Sequence, residues 1–95
     1  MKIKDVFLFY NDYIKPAYFE IEATQNFLPS EFLIEIHAAF DHLKRIYTNE
    51  FSEEESVERA IGHLKRGYLD LSKLKLKYFK DQKYLFNFHV IAKNG

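Results

Sequence analysis

The pattern A-x-x-H-L-K-R-x-Y occurs twice, as Ala39-Phe-Asp-His-Leu-Lys-Arg-Ile-Tyr47 and as Ala60-Ile-Gly-His-Leu-Lys-Arg-Gly-Tyr68, offset by 21 residues. Between the copies lies Ser52-Glu53-Glu54-Glu55. Serine followed three residues later by glutamate has the spacing of a capping box, and acidic residues favour the first turn of a helix. The two copies therefore read as neighbouring helices joined by a turn near Phe51. So short a connection makes them antiparallel.

Each helix carries its own apolar stripe. The second helix of the chain has Phe32, Ile36, Ala39, Leu43 and Ile46, and the third has Val57, Ala60, Leu64, Gly67, Leu71, Leu74 and Tyr78. Spacings of 3 and 4 are those of packed antiparallel bundles. With the turn near Phe51, residues at one level share a constant sum. Ile46 is then expected opposite Val57, Leu43 opposite Ala60, Ala39 opposite Leu64, Ile36 opposite Gly67, and Phe32 opposite Leu71. Large meets small at the central levels, which lets the layers interdigitate.

An antiparallel pair has a local two-fold axis, so equivalent positions of the two copies emerge on one side. Phe40, Tyr47, Ile61 and Tyr68 form an apolar side, where the first helix is expected to dock. His42 and His63 emerge on the other side with Glu35, Ala38, Asp70 and Leu74, and Ser56 lies near them. These residues are the candidate interaction face. Three helices leave it without a covering layer, and self-association or a protein partner is expected there.

The first segment places Val6, Phe7, Tyr10, Tyr13, Ile14, Ala17, Ile21 and Thr24 on one helical face up to about Phe27. Pro16 interrupts it, but the stripe keeps its phase on both sides. A single kinked helix with the proline toward solvent accounts for this better than a short strand at Val6–Tyr10. Ser30 is the expected N-cap of the second helix, and Asp41 and Arg45 an i,i+4 pair on its outer face. The fold expected is all-α: an antiparallel up-down bundle of three helices with a proline-kinked first helix, spanning residues 1–79. Residues 80–95 are open between a fourth helical element, an extended arm and a strand, since Tyr84, Phe86, Phe88 and Val90 alternate with Leu85, Asn87, His89 and Ile91.

Ninety-five residues suffice for one domain, and its 17 Phe and Tyr residues supply the large buried surface a small core needs. The absence of cysteine excludes disulfides, thiolate zinc sites and cysteine nucleophiles, and a reducing, cytoplasmic setting is expected. The Val6–Phe9 run is too short for a signal peptide, and no run reaches the length of a membrane span. Fourteen basic residues balance fourteen acidic ones. A local basic excess does run from Lys65 to Lys83, with Tyr78 and Phe79 interleaved. Solvated helix faces and core stripes explain that pattern, so nucleic acid is not the favoured partner.

Two histidines sharing a face with carboxylates can bind a metal or exchange protons. The Glu-x-x-His pair of helical metal bundles is missing, however, and His37-x-x-x-Asp41 falls on the opposite flank of its helix. No metal or cofactor is expected. No glycine-rich phosphate loop or nucleophile elbow occurs. The residues read as a non-enzymatic interaction or oligomerisation module.

An all-helical domain with Arg59-Ala-Ile-Gly-His63 on a central helix resembles the HEPN-type domains. That family carries an Arg-x(4–6)-His motif, and many of its members are dimeric ribonucleases of toxin–antitoxin and defence systems. Here three residues separate arginine from histidine, and Ala60 stands where the family has a polar residue. The resemblance implies either a ribonuclease using Arg59 and His63 or an inactive relative.

Overall fold

A computed structural model describes the backbone of residues 1–26 and 28–94, with side chains described as far as Asp81. Phe27 and the side chains of the alternating Tyr84–Ile91 stretch lie outside the described residues. The protein is all-α, with three helical rods packed on one another and no strand among the described residues.

The first rod is α1 (Ile3–Phe9), a π-helical turn (Tyr10–Ile14) and α2 (Lys15–Gln25) in unbroken helical backbone. Pro16 has no N–H to donate and crowds the turn before it. The chain relieves this by widening that turn: Lys15 N–H bonds back to the Tyr10 carbonyl, five residues away. Pro16 itself is exposed, at the edge of a hollow it shares with Tyr68, Ser72 and Lys75 of α4. The break in the expected helix is thus a π-turn one residue before the proline. The rod ends at Asn26, whose φ of 54° is left-handed and closes the helix through its N–H to the Glu22 carbonyl.

Helix α3 (Ser30–Tyr47) begins one residue earlier than expected. Pro29 is its N-cap, and Ser30 is the first helical residue. Past its end the chain turns at Asn49, φ 58°, and Glu50 N–H reaches the Arg45 carbonyl at 3.1 Å. That six-to-one closure consumes an otherwise orphaned carbonyl. Ser52 then caps the next helix, its Oγ accepting from Glu55 N–H at 3.2 Å. Only this half of the capping box forms, because the Glu55 carboxylate pairs with Arg59 at 2.9 Å. In the turn, the Phe51 ring lies between the Arg45 and Arg59 guanidinium groups, each 5.5 Å from its centroid.

Helix α4 (Glu53–Asn94) has 42 residues, about 63 Å at 1.5 Å per residue. It spans the long axis of a molecule measuring 68 × 21 × 17 Å. The backbone is helical through Phe79 and Lys80 and on to Asn94, so the period-2 pattern there is not realised as a strand.

The seam between α3 and α4 contains the expected residues. Phe32, Ala39, Val57, Ala60, Leu64 and Leu71 are buried, with Ile36, Leu43 and Ile46 packed partly against them. Gly67 is buried as well. A Cβ there would stand 3.3 Å from Phe32 Cδ2 and 3.5 Å from Glu35 Cβ. The flat Phe32 ring fills the space left by the missing side chain and stacks on Tyr18 of α2 at 6.2 Å.

The first rod docks chiefly on α4. Ile61 is buried beneath it, and Tyr68 meets Tyr13 edge-on at 5.9 Å. At its far end Gln25 Nε2 donates to the Leu74 carbonyl at 3.2 Å, and Glu20 pairs with Lys75 at 3.1 Å. Half of the expected docking side stays open, because Phe40 and Tyr47 of α3 are 61% and 76% exposed.

Candidate functional site

The repeat positions its two histidines as neighbours. The His42 and His63 rings lie 5.0 Å apart and nearly parallel, 19° between their planes. Glu35, about two helix turns before His42 on α3, reaches across to His63, with Oε2 2.7 Å from Nδ1. Arg66 Nη1 is 3.3 Å from the same nitrogen and 4.0 Å from Glu35. One ring nitrogen cannot donate to Glu35 and accept from Arg66 together. The shorter, charge-assisted contact assigns the proton to Nδ1, donated to Glu35, with Arg66 adding its charge alongside.

His42 has no such partner, and its buried Nδ1 finds no hydrogen bond among the described residues. Burial first, then the charges of Arg45, His63 and Arg59, hold its pKa below the ordinary 6.5, with Asp41 pulling weakly the other way. On the same helix, Asp41 bonds Arg45 at 2.9 Å and lies 3.6 Å from Lys44. Partial desolvation opposes its ionisation, yet the two cations hold its carboxyl below the usual range.

Beyond the rings opens a polar cleft of about 440 Å³, lined by His42, Glu55, Glu58, Arg59, Gly62, His63 and Arg66. Arg59 and His63 share it, one turn apart on α4. Both are engaged, Arg59 with Glu55 and Phe51, His63 with Glu35. Ser56, expected near the histidines, is fully buried with no partner for its Oγ among the described residues. The structure thus joins Glu35, His42 and His63 of the candidate face. Ala38, Asp70 and Leu74 are each partly buried, and Leu74 lies at the far end, where Gln25 of α2 clasps its carbonyl. Among the described residues no group of three or more His, Asp or Glu side chains is placed to hold a metal ion. No described helix is long and apolar enough to cross a membrane.

An uncovered apolar surface lies elsewhere, between α1 and α3. A groove of about 300 Å³ runs there, walled by Val6, Phe7 and Tyr10 on one side and Ile36, Phe40 and Leu43 on the other, with Ala39 and Leu64 as floor. A second hollow continues it past Ile3 and Lys44 to Tyr47. Phe7 is 54% exposed and Tyr10 43%. The sequence reading placed the first helix over Phe40 and Tyr47 and so missed this groove. The rod's buried residues, Val6, Ile14 and Ile21, recur at intervals of 8 and 7, a stripe wide enough for one partner helix, not for two. No family model, curated protein or solved structure matches the chain.

Proposed function

We propose that this chain is a non-enzymatic interaction module that self-associates. The observation that carries the reading is the apolar groove between α1 and α3. Contiguous exposed apolar surface rimmed by polar residues marks a place where another helix or protein packs. Phe40 sits at its centre with more than half of its surface in water. The polar cleft supports the same reading, since Arg59 is tied to Glu55 and His63 to Glu35. Sedimentation equilibrium at micromolar concentration tests it. The wild type is expected to exceed its monomer mass of 11.4 kDa, and Phe40→Glu to shift the equilibrium toward monomer. A single monomeric species with no partner in a pull-down contradicts the reading.

A HEPN-like ribonuclease is the second reading. One observation favours it: Arg59, His63, His42 and Arg66 line one cleft, a set able to contact a phosphodiester and move a proton. Cleavage of RNA by the wild type, lost in Arg59→Ala and His63→Ala, would support it. No cleavage, or cleavage unchanged in both variants, removes it.

A further inference from the structure

Among the described residues, the core reaches Leu74 of α4 and stops there. The clasp of Gln25 on Leu74 and of Glu20 on Lys75 marks where the first rod ends. From Leu76 to Asn94 the helix continues for about 28 Å. The radius of gyration, 18.1 Å, records this overhang, since a compact chain of this length has about 12 Å.

The overhang is not built for water. Leu76 is 70% exposed and Phe79 51%. The sequence after them places Tyr84, Leu85, Phe86, Phe88, Val90 and Ile91 within eight positions, too many for one face of a solvated helix. In proteins most helical stability comes from packing an apolar face against a neighbour.

We infer that the overhang of one copy is the fourth helix of another, seated in the groove between that copy's α1 and α3. The inference rests on the self-association reading and names its occupant. Three observations fit together. The groove is a seat left by three helices around Leu64, with an apolar floor. It runs beside α3 from Ile36 to Tyr47, about 17 Å, room for about three turns of the overhang. The overhang is continuous with α4, so it cannot turn back into its own groove without breaking the helix. A second copy supplies the same pair of unmet surfaces, and a two-fold axis makes the exchange reciprocal and closed. A copy contributes both an overhang and a groove, so a two-fold dimer makes each contact twice.

The test uses full-length chains. Phe40→Glu spoils the groove, and the double variant Leu76→Glu, Phe79→Glu spoils the overhang. All three residues are exposed, and unchanged helical circular dichroism confirms that the bundle is intact. In sedimentation equilibrium each variant alone is expected to dimerise at least tenfold more weakly than wild type. Their mixture is expected to recover a heterodimer, because it holds one intact groove and one intact overhang. Three results overturn the inference. If the overhang variant still dimerises fully, the groove pairs face to face, and the self-association reading survives without this occupant. If the groove variant still dimerises fully, the overhangs pair with each other. A monomeric wild type removes both the inference and the reading beneath it.

Discussion

At the residue scale, the two helical glycines of α4 separate packing from propensity. Gly62 faces open space, its nearest neighbour being Arg66 Nη2 at 4.0 Å from an added Cβ. Gly62→Ala is therefore expected to raise stability by about 1 kcal/mol. Gly67 is closed by Phe32 and Glu35. Gly67→Val is expected to cost about 2 kcal/mol, because a branched side chain must push a buried ring. Urea unfolding of both variants checks the pair. His42 makes a second prediction, about pH. Its folded pKa is lowered from 6.5, so between the two values the unfolded chain binds more protons than the folded one. The stability it contributes is complete above 6.5 and is lost as pH falls through the folded pKa. The melting temperature of the wild type is expected to fall over that window, and that of His42→Phe to fall less. An identical slope in both would remove His42 as the cause.

At the scale of the element, the boundaries of α4 were easy to read at one end and hard at the other. Ser52 before three glutamates announced a helix start, and Ser52 Oγ does cap it. Ser52→Ala is expected to destabilise the fold by about 1 kcal/mol in thermal or urea unfolding. The repeat announced the hairpin, because large and small residues alternate across a constant-sum register. The kink near Pro16 was legible as an interruption in an otherwise phased stripe. That it takes the form of a π-turn was not, since sequence shows the missing donor but not which carbonyl the preceding N–H will choose. Ser30 looked like a cap, yet Pro29 fills that place with extended backbone, ψ 140°. The alternation after Lys80 looked like a strand because large apolar residues crowd every second position. A helix apolar on several faces produces the same reading.

At the scale of the whole molecule, local pattern fixes which residues are apolar but not which neighbour covers them. The histidine pair was found because symmetry of the hairpin places equivalent residues on one side, and Glu35 was placed with them. The groove was missed because covering Phe40 and Tyr47 depends on where the first rod settles, and the rod settles on α4. What remains is a bundle with one seat open and one helix overhanging, in the same chain. Hydrogen exchange of the full-length wild type, at high and at low protein concentration, measures this directly. Amides after Leu76 are expected to be protected at high concentration and to lose that protection on dilution, while those of the α3–α4 seam keep theirs. Equal exchange after Leu76 at both concentrations would contradict the claim that a second copy holds this helix.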